Sequence, residues 1–548
     1  MAVFEGSIAG LGNRQARQRS AQFYWRLPTY LVAALVLLPL SVIVLSWLDP
    51  QPDIWAHLLE TQLARLLKNT LVLLLGVGVL VALVGVSLAW LVATCEFPGR
   101  RWLDWGLMLP LAIPPYVLAF VFLGLLDYSG PVNTFLRNTF GWRNGLGDVR
   151  SAPGVIVVMA LVLYPYVYML ARSAFLGQGR ELMDAARSLG VNPWRAFWRV
   201  ALPMARPAIA AGMALALMET LADFGAVSVF NFDTFTTAIY KAWFGFYSLS
   251  AAAQLASLLL LVVLLALWLE RAARRGRMSQ NQRLQKQQRY RLAGGRAWLA
   301  SGYCLLIFAL AFAVPVAQLL VWTLAHLQEF DSRYWLFVKN SLVLAGTTSL
   351  VALTVALLAG FGQRQSQTAG IWVRIASLGY ALPGSVLAVG VLLVLALIDN
   401  HLLAPLYEAL GIGQLLVGSL LALVLAYLIR FYSVAFGPVQ SSLDAIRPSY
   451  QEVAQTLGAG RWRILRQVYL PLLRPGLLTA ALLVLVDTLK EMPATLILRP
   501  FGWDTLAVRI FERTAEGQWQ QAALPAVTLV AVSLVPVIMM IRRSSEPH

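Results

Sequence analysis

Apolar stretches longer than about 18 residues recur along the whole chain, and no other feature narrows its fold so far. In hydrocarbon every backbone N–H and C=O must be satisfied internally, which leaves helices or a closed barrel. Alternation with period two is absent, so a barrel is excluded in favour of helices. The composition agrees: 59% of the 548 residues are hydrophobic and 13% are charged. A water-soluble chain of this length would carry far more charge.

Twelve spans are expected, each long enough for ~30 Å of hydrocarbon. The first six are Leu27–Leu48, Asn69–Thr94, Trp105–Leu126, Pro153–Arg172, Pro207–Phe230 and Leu249–Leu269. The second six are Leu299–Leu324, Asn340–Gly362, Ile375–Ile398, Gly413–Phe436, Pro475–Leu498 and Ala522–Ile541. The leading run follows Arg14, Arg17, Arg19 and Arg26, is too long for a signal-peptide core and lacks a small-residue cleavage site, so it reads as a retained span.

The net charge of +17 fits either nucleic-acid binding or the positive-inside rule. No basic water-soluble module supports the first. With the N-terminus inside, the inner segments hold about 29 of the 43 Lys and Arg and the outer loops about 11. That orientation places both termini on the cytoplasmic side of the membrane. Cys95 and Cys304 lack partners at metal spacing, and His57, His326, His401 and His548 are scattered, so no disulfide framework, metal site or resident cofactor is expected.

The chain is also duplicated. "DAARSLGVNPWRAFWRVALPMARP" (Asp184–Pro207) recurs as "EVAQTLGAGRWRILRQVYLPLLRP" (Glu452–Pro475), 268 positions later. "KNTLVLLLG" at Lys68 recurs as "KNSLVLAGT" at Lys339, "AIPPYVLAF" at Ala112 as "ALPGSVLAV" at Ala381, and "FDTF" at Phe232 as "WDTL" at Trp503. The expected division is a tail 1–26, a first half 27–269, a basic glutamine-rich linker 270–298, a second half 299–541 and a tail 542–548. Six spans per half make the repeat parallel, with a pathway expected where the halves meet. The fold class is therefore all-α: a polytopic membrane protein with about twelve transmembrane helices in two parallel-repeat halves.

Both copies of the polar segment precede the fifth span of their half and fall on the cytoplasmic side. Asp184 and Glu452 stand near the start of a short predicted helix, where an acid suits the helix dipole. Ala185-Ala186 and Val453-Ala454 keep one face slim. Gly190 and Gly458 fit a helix end that needs φ > 0. Pro203 and Pro471 are expected to break the chain before the next span. A lone segment of this kind is most often an interfacial surface helix, but two copies with one Gly-to-Pro spacing speak for a shared task.

This pattern of acid, small pair, glycine and Leu-Pro between spans four and five resembles the "EAA" loop of ABC-importer permeases. The first copy reads DAA and the second EVA, mild departures from it. The resemblance implies a type I importer fold and two coupling helices that dock on two copies of a cytoplasmic ABC ATPase. No G-x-x-x-x-G-K-[ST] loop is present, so the expectation is a permease subunit that is not an enzyme, with ATP used by the separate partner. Membrane lipid and a periplasmic substrate-binding protein are the other partners implied; nucleic acid is not. A single chain with two such halves is similar to the fused ferric-iron permeases and the related thiamine permeases. "ETLADFGAVSVFNFDTFTTAIYKAWFGFYSLSAAAQLA" (Glu219–Ala256) and "LKEMPATLILRPFGWDTLAVRIFE" (Leu489–Glu512) resemble the ferric-iron group most.

Four intramembrane acids repeat at the same offset: Glu219 and Asp223, then Asp487 and Glu491. The i,i+4 spacing puts each pair on one helix face. A carboxylate in the bilayer centre costs ~2.5–3.5 kcal/mol, so it faces a bundle interior or a watery path. One reading makes all four structural, with Lys490 a partner for Asp487 or for an acid across the interface. The other lines a pathway with them, which favours a cation such as ferric iron or thiamine over sulfate, molybdate or phosphate. The proline clusters "LPLAIPPY" and "YALPG" are expected only to kink their helices. A thiamine, other small cationic or phosphonate permease, a proton-driven transporter using the four acids, and a membrane scaffold or enzyme remain the alternatives; no His/Cys cluster or Ser-His-Asp set supports catalysis.

Overall fold

The computed structural model describes residues 26–142, 147–178, 188, 190, 192–273, 289–326, 332–364 and 370–545. Among them eleven helices are long and apolar enough to cross a membrane. The shortest, Gly384–Leu402, has 19 residues, about 28 Å at 1.5 Å per residue. A further helix, Ala523–Ser545, stands at the place of the expected twelfth span.

The chain forms two compact units. The first holds Met1–Leu48 and Trp335–Thr505; the second holds Asp49–Tyr334 and Leu506–His548. The leading span is thus grouped with spans of the second sequence half. In the first unit, Pro39 and Ile43 of that span close over Gly390, whose missing side chain would lie within 3.0 Å of both. Tyr30 meets Trp372 edge-on at 5.4 Å. Helices Leu420–Ala445 and Leu470–Lys490 form the main packed pair of this unit.

In the second unit, Leu63–Thr94 packs along Ala152–Gly177, which also packs along Leu202–Ala222. Lipid tails offer no hydrophobic drive for helix association, so close backbone approach must supply dispersion instead. Gly85 and Gly212 provide it on either side of Val167: an added Cβ would sit 2.8 Å from Val167 Cβ and 2.7 Å from Val167 Cα respectively.

The proline clusters interrupt their spans outright. The expected helix Trp105–Leu126 is instead Arg100–Gly106, a 3-10 turn Leu109–Ala112 and a new helix Pro115–Leu126. Ile113 and Pro114 between them are extended, with ψ 122° and 146°. The second copy repeats this as Gly370–Ala376, Ser377–Ala381 and Gly384–Leu397, with ψ 130° at Leu382 and 141° at Pro383. A residue before proline is pushed out of the α region, and Pro114-Pro115 applies that constraint twice in succession.

Pro203 and Pro471 have the opposite outcome. Each lies inside a continuous helix, Phe197–Ala222 and Arg461–Lys490. A π-turn precedes each proline, at Phe197–Ala201 and Leu465–Tyr469. The wider turn lets Leu202 N–H reach Phe197 O and Leu470 N–H reach Leu465 O. It absorbs the lost bond and the ring clash that would otherwise end the helix.

Candidate functional site

The connecting segment of the second copy is described throughout. Glu452, Val453 and Ala454 lie on the helix Pro448–Thr456. Gly458 follows with φ +75°, and the helix closes by Gly458 N–H to Gln455 O and Ala459 N–H to Ala454 O, both 3.0 Å. That is the Schellman arrangement, which only a residue tolerant of the left-handed region completes without strain. In the first copy Asp184, Ala185 and Ala186 lie outside the described residues, while Gly190 has the same φ of +75°. Val453 and Leu457, one turn apart, are 58% and 80% exposed on an otherwise polar helix. Such a face is apolar enough to receive a partner.

Two residues that composition does not single out fix this helix in place. The Tyr469 hydroxyl donates to Gln451 Oε1 at 2.8 Å. The Arg364 guanidinium donates to Leu443 O and Ile446 O, at the C-terminal end of Leu420–Ala445, and lies over the Tyr469 ring at 5.2 Å. A cation there adds a charged donor to carbonyls of the last turn, where Ile446 N–H alone reaches back to Leu443 O at 3.1 Å, and it suits the dipole. In sequence Arg364 counts only as one more positive charge in a loop.

The other repeated motifs meet in each copy. Helix Leu202–Ala222 ends at Asp223, and Leu470–Lys490 ends at Glu491, both with extended backbone. Each acid then caps the short helix that follows: Asp223 Oδ2 accepts from Val227 N–H at 3.1 Å, and Glu491 Oε1 from Ala494 N–H at 3.2 Å. Thr236 and Thr495 hydroxyls donate to the carbonyls of Asp223 and Glu491, both at 2.7 Å. Asn69 Nδ2 donates to Asp233 O at 2.9 Å, and Asn340 Nδ2 to Asp504 O at 3.1 Å. The repeated "KN" and "DT" pairs are therefore two ends of one clasp, made once in each unit.

The copies part company at the acids. Glu491 is buried and forms an ion pair with Arg430, Nε to Oε2 at 3.3 Å. Arg430 Nη1 also donates to Leu382 O at 3.1 Å, a carbonyl freed by the interruption at Pro383. Helices Ala152–Gly177 and Leu420–Ala445 have equal lengths, and the repeat offset sets Val162 opposite Arg430. Among the described residues Asp223 has no such cation, and it is half-buried. Glu219 and Asp487 are half-buried one turn before each break. The charge pattern of the four acids was readable from sequence. The role of Arg430 was missed, although a lone arginine in "LALVLAYLIRFYSVAF" is itself a signal.

These features agree with comparisons to known proteins. The model for the family "Binding-protein-dependent transport system inner membrane component" matches the chain twice, over residues 85–277 and 352–543. The Fe(3+)-transport system permease protein FbpB 2 of Haemophilus influenzae is 28% identical over 496 residues, covering 88% of this chain and 90% of its own length. The molybdenum transport system permease protein ModB of Escherichia coli is 32% identical over 200 residues, covering 35% of this chain and 86% of its own. The sulfate transport system permease protein CysT of Escherichia coli is 30% identical over 206 residues, covering 36% of this chain and 69% of its own. The chain belongs to the binding-protein-dependent inner membrane component family, as a fused type I ABC-importer permease with two copies of the family's domain.

Proposed function

We propose that this permease carries ferric iron from the periplasm to the cytoplasm. It would work with two copies of a separate ABC ATPase and a periplasmic binding protein. The observation that carries the substrate reading is the extent of likeness. The ferric-iron relative runs through both halves, whereas the molybdenum and sulfate relatives each cover about a third of the chain. The charge pattern supports it, because paired acids near the ends of the interrupted spans suit a hard cation over an oxyanion. Asp223 is the acid best placed to serve passing cations, being half-buried and without the arginine that occupies Glu491.

The segments around Gly190 and Gly458 would be the coupling elements, facing the cytoplasm with both termini. ATP binding at the partner would press on them and rock the halves between outward-open and inward-open states. Exposed Val453 and Leu457 are the apolar contacts such docking needs.

The test is transport in proteoliposomes that hold the permease, its ATPase and its binding protein. ATP-dependent uptake of radiolabelled ferric iron, with no uptake of molybdate, sulfate or thiamine, is the expected result. Uptake of one of the others, or uptake that needs only a proton gradient, would overturn the reading.

A further inference from the structure

A cluster at the start of the first interrupted span has no place in the transport scheme so far. In the second unit, Tyr290–Arg291 at the end of the linker pairs in parallel with Cys95–Glu96, and Leu292 N–H donates to Glu96 O at 3.1 Å. This stitch brings Arg289 beside Arg100, Arg172, Glu96 and Asp104. Both carboxylates are already engaged. Arg100 Nε donates to Glu96 Oε2 at 3.0 Å, and Arg172 Nη2 to Asp104 Oδ2 at 2.8 Å. Tyr168 Oη donates to Asp104 O at 2.9 Å.

Three guanidinium groups thus share two carboxylates. Arg289 Nε is buried without an acceptor. The Arg100 side chain is 8% exposed, and its Nη1 makes no hydrogen bond, lying 3.9 Å from Asp104 Oδ2. Burial, with Arg100 close by and Arg172 adding to it, holds the Arg289 guanidinium below its ordinary range despite Glu96 and Asp104. Among the described residues the cluster is short of one negative charge.

The residues that flank it in sequence say which anion would complete it. Arg101 and Arg291 are exposed. Trp102 and Trp105 are 40% and 39% exposed, and Trp298 and Leu299 are 70% and 75% exposed. Indoles beside arginines at span ends mark the headgroup level of a bilayer. Guanidinium groups bind phosphate oxygens in a bidentate fork, and the apolar flanking residues would lie along an acyl chain. A soluble phosphate ion has no use for those residues.

We propose that Arg289, with Arg100 and Arg172, forms a binding site for the phosphodiester of an anionic phospholipid, which holds the end of the linker against the first sequence half.

The test uses the purified full-length chain in detergent and fluorescent phosphatidylglycerol, with phosphatidylcholine as the zwitterionic control. Wild type binds phosphatidylglycerol in preference to phosphatidylcholine. Arg289→Gln weakens phosphatidylglycerol binding about fivefold and leaves phosphatidylcholine unchanged, as expected for removal of one arginine at a membrane surface. Arg289→Lys keeps the charge without the fork and binds phosphatidylglycerol more tightly than Arg289→Gln but less tightly than wild type. Equal binding of the two lipids by wild type overturns the proposal, whatever the folding of the variants. So does Arg289→Gln binding phosphatidylglycerol as wild type does. Displacement of the lipid by millimolar inorganic phosphate would reassign the cluster to a soluble anion.

Discussion

Arg430 and Glu491 should behave as a pair whose members are worse removed singly than together. The two side chains are 8% and 6% exposed and 3.3 Å apart. Arg430→Met leaves the Glu491 carboxylate buried without the guanidinium, still accepting from Ala494 N–H, and removes the Arg430 donor from Leu382 O. Breaking a buried pair from one side costs about 3–5 kcal/mol, because the remaining charge is uncompensated. Glu491→Gln strands the guanidinium in the same way, although the new amide oxygen can still accept from Ala494. The double variant strands no charge. What it loses is the bond to Leu382 O, about 1 kcal/mol and up to 3 for a charged donor. The expected order of stability is wild type, then the double variant, then either single variant, with an interaction energy of about 2–4 kcal/mol.

The assay is the thermal midpoint of the detergent-solubilised full chain, followed by size-exclusion chromatography of a fluorescent fusion. Both single variants should melt below the double variant. A double variant whose loss equals the sum of the two single losses would refute the reasoning, since additive effects mean the two groups do not share an interaction.

Three other outcomes follow from close geometry. Gly384→Ala would place a Cβ 2.2 Å from Glu491 Oε1 and 2.9 Å from Arg430 Nη1, so the same thermal assay should show a loss of about 1–3 kcal/mol from overpacking. Gly458→Val forces a β-branched residue to the φ of +75°; at about 1–2 kcal/mol of backbone strain, recovery of the ATPase on co-purification should fall about fivefold or more, while the permease itself stays folded. Arg364→Met removes the charged donor from Leu443 O and Ile446 O; limited proteolysis should then cut between the helices Leu420–Ala445 and Pro448–Thr456 several times faster, in keeping with about 2 kcal/mol of lost charge-assisted bonding.

Much of this was legible because membrane helices obey a strong rule: a span is an unbroken apolar run, and the runs could be counted. The repeat was legible because the residues that make special geometry, such as Gly458, Asn69 and Asp233, recur as letters. What sequence did not yield was how a proline acts. Pro114 interrupts a span, while Pro203 sits inside one behind a π-turn. A second proline is not the reason, because Pro383 interrupts its span without one; what sets Pro203 apart is the widened turn before it, which brings Leu202 N–H to Phe197 O. Nor could sequence say that Glu491 is neutralised, because its partner lies 61 positions earlier on another helix.

That neutralisation bears on how a duplicated permease can come to treat its two halves differently. Both copies interrupt the same two helices, cap the following short helix with an acid, and clasp its far end with an asparagine. Identical geometry would give identical electrostatics, were it not for two positions, held by Val162 and Ala222 in one copy and by Arg430 and Lys490 in the other. Arginine at that point joins two interruptions, at Leu382 and at Glu491, into one charge-balanced node. Valine leaves Asp223 to find its solvation elsewhere, and an acid in hydrocarbon without a cation must keep access to water. The half with the arginine is thereby suited to bracing, and the half without it to meeting a hydrated cation. Adding the arginine, by Val162→Arg with Arg430 kept, should therefore depress ferric-iron uptake far more than it depresses assembly with the ATPase. Loss of both in parallel would show that the asymmetry serves folding alone.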